Sequence, residues 1–223
     1  MLKLQWQDID TVLLDMDGTL LDLYFDNYFW LTHLPKRYSQ IHQKDFAAIK
    51  QQLDSDYQAL QGQLKWYCFD HWAQKLNLDI MALKHEVAHL IQIRESVPEF
   101  LTALKQAGKQ VVMLTNSHPD GVKLKLDKTG LAGYFDKIYS THQFGYSKES
   151  QKLWQALKTD LHFESSKTLF VDDSLVILQA AKTFGIKHLV AVANPDSQQP
   201  SRKINEFNAI EDYWEMIEQL SGQ

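Results

Sequence analysis

With a single cysteine, Cys68, the chain can form no internal disulfide, which fits a reducing, cytoplasmic setting. No stretch approaches the ~20 apolar residues of a membrane-spanning helix. Met1-Leu2-Lys3-Leu4-Gln5-Trp6-Gln7-Asp8 has no apolar segment of signal-peptide type. Long basic runs are missing as well, and the formal net charge is −5 at pH 7. That argues against a nucleic-acid polymer or an anionic membrane surface as partner. No internal repeat or low-complexity tract is present; only Ser197 to Lys203 reads as a loose polar linker. What remains is an ordinary globular composition over 223 residues, enough to bury a sizeable core in one large domain or two modest ones.

Two rhythms divide the chain. Thr11 to Leu14 reads as a buried strand. From about Leu23 to Ile93 the apolar spacing is helical, with almost no strand signal. It predicts a short aromatic helix over Asp26 to Leu34 stopped by Pro35, then helices over Ile41 to Leu60, Leu64 to Leu76 and Ile80 to Ile91, with breaks at Gly62 and Asn77. From Ser96 onward, strands alternate with helices. The strands are Gln110 to Leu114, Lys137 to Tyr139, Thr168 to Val171 and Lys187 to Val192; a helix over Ala209 to Leu220 closes the chain. Such alternation implies parallel pairing through right-handed crossovers, hence a doubly wound α/β sheet. The first strand belongs to that sheet, so the helical block is inserted just behind it.

Ligands in such sheets bind beyond the carboxyl ends of the strands. After the first strand come Asp15 and Asp17, one residue apart, with Gly18 to turn the backbone. After the second come Thr115, Asn116 and Ser117. Across a loop from the third come Ser147 and Lys148, and after the fourth come Asp172 and Asp173; Asn194-Pro195-Asp196 after the fifth reads as a turn. Each has a plain structural reading as a helix cap, a solvated lysine or acids favoured by a helix dipole. All four groups on one sheet edge suit phosphoryl transfer. A carboxylate can attack phosphorus. Paired acids can hold Mg²⁺, which offsets anion–anion repulsion. Lysine, hydroxyl and amide groups can hold the transferred oxygens.

This set resembles the haloacid dehalogenase superfamily of phosphohydrolases. Leu13-Leu14-Asp15-Met16-Asp17-Gly18-Thr19 is similar to its first signature, Val112-Met113-Leu114-Thr115-Asn116 to the second, Lys148 to the third, and Leu169-Phe170-Val171-Asp172-Asp173 to the fourth. The resemblance implies Asp15 as nucleophile, Asp17 as general acid and base, and Thr115 and Lys148 as phosphate ligands. It implies Mg²⁺ held by the Asp15 carboxylate, the Asp17 carbonyl and the acidic pair, with Asp173 direct and Asp172 direct or through water. It also implies a Rossmann-like core over residues 1–20 and 95–223, with a small helical cap over 21–94. A narrower resemblance runs almost end to end. Phe25-Asp26-Asn27-Tyr28-Phe29-Trp30, Trp66-Tyr67-Cys68, Leu114-Thr115-Asn116-Ser117-His118-Pro119 and Ser140-Thr141-His142 are similar to the bacterial GMP/IMP nucleotidases. That implies hydrolysis of purine 5′-monophosphates. A sugar-phosphate phosphatase or phosphomutase with the same core is the alternative. A receiver-like domain that only stores phosphate on Asp15 fits less well, because Asp17 would promote its hydrolysis.

The helical block is rich in rings. Phe25, Tyr28 or Trp66 could face a purine, although core packing is the better-supported reading for any one ring. Asp26 and Asn27 could reach a base edge or ribose, or cap a helix. His118 could meet substrate or only the start of its helix. His85-Glu86-Val87-Ala88-His89 fits the H-E-x-x-H pattern of zinc proteases. It has no separate third-ligand motif, so a solvated helix face is the expected reading.

Overall fold

The computed structural model describes residues 3–222. Met1, Leu2 and Gln223, which belong to the expected core segments, lie outside the described residues. Six parallel strands form one sheet: β1 (Thr11–Leu14), β2 (Gln110–Thr115), β3 (Lys137–Ser140), β4 (Thr168–Asp172), β5 (His188–Val192) and β6 (Asn208–Ile210), in the order β3-β2-β1-β4-β5-β6. The chain builds outward from β1 to β3, returns, and builds the other way from β4. Its order therefore reverses beside β1, where doubly wound sheets leave a crevice at their carboxyl edge.

Side-chain alternation divides the core in two. Val12 and Leu14 point to one face with Val111, Met113, Leu169 and Val171. Against that face pack α6 (Val97–Gln106), through Phe100, Leu101 and Leu104, and α10 (Trp214–Ser221), through Met216 and Leu220. Leu13 points the other way with Val112, Leu114 and Phe170. There α8 (Gln151–Leu161) contributes Trp154 and Leu157, and α9 (Leu175–Phe184) contributes Ile177, Leu178 and Ala181. Both faces of β1 are covered, which explains its unbroken apolar run.

The helical block comprises α1 (Tyr24–Tyr28), α2 (Leu34–His42), α3 (Phe46–Leu60), α4 (Phe69–Leu76) and α5 (Ile80–Glu86). It has its own apolar cluster, with Phe29, Leu53, Trp72 and Leu83 among its members; Leu124 of α7 (Pro119–Thr129) joins from the sheet side. The chain enters and leaves the block at one place. Leu21 bridges Ile93 in antiparallel fashion. Asp22 N donates to Gln92 O at 2.9 Å and Arg94 N to Leu20 O at 3.0 Å.

Several local expectations are corrected. Pro35 does not stop a helix. A π-helical segment over Phe29–His33 absorbs it, and Pro35 falls in the first turn of α2, where no N–H is needed. The long helix expected over Ile41 to Leu60 is broken. Gln43 takes a left-handed conformation, φ 51°, and the Asp45 side chain caps α3 by accepting from Ala48 N. The segments at Leu64 and Ala88 are 3₁₀ turns joined to α4 and α5 rather than parts of longer helices. Ala209 begins no helix; Asn208 to Ile210 pairs with β5, and α10 starts at Trp214. Ser147 does not cap the helix that follows β3: that helix begins at Gln151 with Ser150 as its cap, so Ser147 and Lys148 sit in the preceding loop. Ser197 to Lys203 is tethered: Arg202 donates to the carbonyls of Val192 at 2.6 Å and Asp173 at 2.7 Å.

Candidate active site

The carboxyl edge of β1, β2 and β4 carries the groups that sequence reasoning selected. Asp15 follows β1 directly, and its backbone N–H donates to Val171 O of β4 at 3.0 Å. The sheet thereby holds Asp15 beside the acids after β4. Oxygens of Asp15, Asp172 and Asp173 lie within 4.8 Å of one another. Gly18 has φ 79°, and a Cβ there would stand 2.8 Å from Asp173 Cγ. Glycine is needed twice, for the turn and for the approach of Asp173.

Lys148 is the cation of this cluster. Its side chain is 2% exposed, and Nζ lies 2.5 Å from Asp15 Oδ1 and 2.7 Å from Asp172 Oδ2. Its backbone is pinned on both sides: N–H donates to Asn116 Oδ1 at 2.9 Å, and the carbonyl accepts from Trp154 Nε1 at 2.8 Å. Burial disfavours the charged ammonium, but Asp15 and Asp172 overcome it and raise Lys148 above its ordinary range. Burial also lifts Asp15 to about 6, against the opposing pull of Lys148. Asp173 is raised well above the carboxylate range by burial and then by its acidic neighbours, with less help from cations. Both oxygens of Asp172 are engaged, one by Lys148 and one by Ser174 N at 2.8 Å.

Thr115 ends β2, 1% exposed, and its hydroxyl accepts from Ser117 N at 3.0 Å. Asn116 is used internally. Its Oδ1 accepts from Thr141 Oγ1 and Lys148 N, and its Nδ2 faces Glu149 Oε2 at 3.2 Å. Ser147 donates to Gly62 O of the helical block at 3.0 Å. His118 caps α7 by accepting from Asp120 N at 3.3 Å, so it marks the helix start.

Asp17 differs from Asp15. Its Oδ1 accepts from Lys125 Nζ of α7 at 2.6 Å, and the same ammonium lies 2.6 Å from Asp26 Oδ2. Lys84 Nζ of α5 meets the other Asp26 oxygen at 2.9 Å. Burial opposes ionisation of Asp26, yet Lys125 and Lys84 together hold it below the usual range. Burial lifts Asp17 to about 7, although Lys125 pulls the other way. Lys84 itself is pushed down by burial and rests 4.3 Å from the Phe29 ring centroid, a contact that helps to house the cation.

Over these groups lies a cavity of about 260 Å³ bounded by Asp15, Asp17, Thr115, Asn116, Ser117, Lys148 and Asp173 below. Its walls are Trp30, Tyr57, Trp66, Tyr67 and Phe69 from the helical block. Of the three rings proposed to face a base, only Trp66 lines it. Phe25 is buried, 1% exposed, beneath Lys84 and Lys125. Tyr28 packs on Tyr24 and His33. Asp26 is consumed by the two lysines. Asn27 Nδ2 donates to Asp196 Oδ2 at 2.7 Å; neither residue caps a helix, and both border the cavity. The H-E-x-x-H segment forms no metal face: α5 ends at Glu86, a 3₁₀ turn carries His89, and Glu86 pairs with His33 and Arg37.

Lys84, Lys125 and Glu149 escaped the sequence reading. A signal existed for the lysines. Lys84 follows Ile80 and Leu83 on the buried stripe of its helix, and Lys125 follows Gly121 and Val122 on its own. A lysine at a core position of a helical pattern calls for a buried carboxylate partner. Glu149 accepts from Tyr67 Oη at 3.0 Å, a contact from helical block to sheet that no local pattern announces.

A sequence model of the family described as haloacid dehalogenase-like hydrolase matches residues 9–185. The GMP/IMP nucleotidase YrfG of Escherichia coli (strain K12) is 42% identical over 219 residues, covering 98% of this chain and 99% of that protein. The pyrimidine 5′-nucleotidase YjjG of the same organism is 26% identical over 176 residues, 74% of this chain and 77% of that one. Among solved structures, a HAD phosphatase from Thermococcus onnurineus matches with a TM-score of 0.78 at 20% identity, covering 96% of this chain and 99% of that one. That likeness bears on the fold.

Proposed function

This chain belongs to the haloacid dehalogenase-like hydrolase family, and on that premise we propose that it hydrolyses phosphomonoesters, with purine 5′-monophosphates such as GMP and IMP as substrates. One observation carries the reading: Asp15, Thr115 and Lys148 meet on the floor of a cavity whose walls are aromatic. A small phosphomonoester suits it, with phosphate on the charged floor and a flat base against the rings. The likeness to the E. coli GMP/IMP nucleotidase favours purines. On this reading the block over 21–94 is the cap, and residues 1–20 and 95–223 form the core.

The Asp15 carboxylate attacks phosphorus, the P–O bond to the nucleoside breaks, and an aspartyl-phosphate forms. Asp17 gives its proton to the leaving oxygen. It then takes a proton from water as that water attacks the phosphoryl group, releasing inorganic phosphate and restoring Asp15. A carboxyl raised to about 7 suits both duties near neutral pH. Lys148 and the Thr115 hydroxyl hold the transferred oxygens. Asn116 acts mainly by fixing the Lys148 loop, and Ser117 by bounding the phosphate pocket.

The all-oxygen donor set and the close approach of three carboxylates fit Mg²⁺. Asp15, Asp173 and the Asp17 carbonyl would hold it, with Asp172 as an outer partner because both of its oxygens are engaged. When bound, the ion offsets the repulsion between Asp15 and the phosphate.

Purified protein with Mg²⁺ should release phosphate from GMP and IMP faster than from hexose phosphates, and Asp15→Asn should abolish release. Preference for a hexose phosphate would overturn the purine assignment. Turnover retained in Asp15→Asn would overturn the aspartyl-phosphate route.

A further inference from the structure

Behind Phe69, outside the cavity, three ligand-type side chains converge. Cys68 precedes α4 in the cap. His118 precedes α7 in the core. His142 sits in the 3₁₀ turn over Thr141–Phe144 that follows β3. The Cys68 sulfur and one nitrogen from each ring all lie within 4.8 Å of one another. None of the three has a part in the phosphate chemistry derived above.

We propose that Cys68, His118 and His142 form a binding site for a thiophilic divalent cation of the zinc class, distinct from the hard carboxylate site, and that the bound ion clasps cap to core. One thiolate and two imidazoles are soft and borderline donors, the set that selects zinc over magnesium. Three protein ligands leave a fourth position for water.

The geometry is close to what such an ion needs. Bonds of about 2.0–2.3 Å in a tetrahedron put ligand atoms roughly 3.3–3.8 Å apart. The present spread, up to 4.8 Å, exceeds this by about 1.5 Å at most, a distance that side-chain rotations can close. His142 already has the arrangement of a metal-binding ring. Its Nε2 is buried without a hydrogen-bond partner, while the ring hydrogen-bonds the Asn116 backbone. Metal-bound histidines characteristically spend the second nitrogen on a backbone carbonyl or a carboxylate. Burial, reinforced by His118, holds the His142 ring below its ordinary range, so its lone pair is available.

His118 must change partners to bind: its Nε2 lies 3.5 Å from Asp70 Oδ2, a contact the ion would displace. Its Nδ1 has only the 3.3 Å contact with Asp120 N, and the Asp120 carboxylate stands 3.6 Å from the same nitrogen. With the metal on Nε2 the proton moves to Nδ1, which then gives up its cap contact with Asp120 N and donates instead to the Asp120 carboxylate. Phe69 stacks on His118 with centroids 4.9 Å apart and limits where the ring can go. Cys68 is the sole cysteine of the chain, so no second thiol competes for the ion.

Such an ion would add a coordinate link to the polar contacts that already join cap to core, among them Lys125–Asp26, Tyr67–Glu149 and Ser147–Gly62. A Cβ on Gly121 would come 2.9 Å from Phe69, so the two parts already touch closely here. A bound cation makes that contact permanent. Substrate entry and product release then slow, if the cap must lift for them. Metal binding itself requires no hydrolase activity, so the two readings can fail separately.

The test uses the full-length protein, stripped with chelator and held in excess Mg²⁺ to fill the carboxylate site. Co²⁺ should give a thiolate-to-metal charge-transfer band, Zn²⁺ should bind near one per chain and protect Cys68 from alkylation, and Zn²⁺ should slow phosphate release. Cys68→Ser should retain basal turnover, lose the band and become insensitive to Zn²⁺. His142→Gln, which keeps the thiol, should weaken Zn²⁺ binding at least tenfold. Asp173→Asn should leave band and protection intact. Absence of the band, alkylation unchanged by Zn²⁺, or Cys68→Ser binding Zn²⁺ like the unaltered chain would each overturn the proposal.

Discussion

The ammonium of Lys125 stands 2.6 Å from Oδ1 of Asp17, so the residue proposed to move protons is half of a buried ion pair. The same ammonium reaches Asp26, and its side chain is 2% exposed. Removing one partner of a buried pair costs about 3–5 kcal/mol, because the other charge stays behind. Lys125→Met should therefore lower unfolding stability by that order in urea melts. Adding Asp26→Asn should recover part of the loss, since the two changes act within one network. Strict additivity of the two penalties would show that the pair is not coupled.

Asp17→Asn retains shape and hydrogen-bonding capacity but cannot exchange a proton. General acid–base catalysis contributes roughly 10²–10⁴-fold, so kcat for phosphate release should fall by about that factor. Circular dichroism should show the fold unchanged. A rate within twofold of the unaltered enzyme would remove Asp17 from the proton path.

Mg²⁺ dependence should vary with pH in a fixed direction. Burial raises Asp15 to about 6 and Asp173 well above the carboxylate range. A carboxyl whose folded value exceeds its unfolded value of about 3.9 contributes stability that is complete below about pH 4 and lost as pH rises through the folded value. The metal-free protein thus loses these contributions between about pH 4 and pH 6 or above. On the proposed reading, Mg²⁺ would bind the ionised carboxylates and compete with their protons. The rise in Tm on adding Mg²⁺ should be small near pH 5 and grow toward pH 8. An increment that is flat, or larger at pH 5, would take Asp15 and Asp173 out of the metal site.

Trp66 lines the cavity from the turn over Leu64–Tyr67. Stacking of a base on an aromatic ring is worth about 1–3 kcal/mol. Trp66→Ala should raise KM for GMP roughly 10- to 100-fold, with little change for a small phosphoester that has no base. Equal effects on both substrates would mean that Trp66 only shapes the cap.

The chemistry was legible where local pattern and topology coincide. The apolar run Val12-Leu13-Leu14 ends at Asp15, and a doubly wound sheet gathers such strand ends at one edge. Lys148 was equally legible, although its burial beneath Asp15 and Asp172 is a tertiary fact. Elsewhere local signals were overruled. Pro35 normally ends a helix, but a π-helical turn in front of it freed the N–H position. Asn208 to Ile210 has little strand character and is recruited by the open edge of β5. Asp26 and Asn27 border the cavity as well, but the partners that hold them there, Lys84, Lys125 and Asp196, lie 58 to 169 residues away and no local pattern names them. His85 and His89 matched a motif that needs a continuous helix, and the helix stops between them.

The helical block is spliced into the chain at the Leu21–Ile93 bridge and has an apolar cluster of its own. This separates two kinds of evolutionary risk. A mutation in the aromatic wall can alter what is recognised while leaving the strand-end acids, and the chemistry they share, in register. Lys125 marks the limit of that freedom: it grips Asp17 on one side and Asp26 on the other. A lineage exploring new substrates can redraw most of the block, but it must keep a carboxylate at position 26 or replace both ends of that bond together.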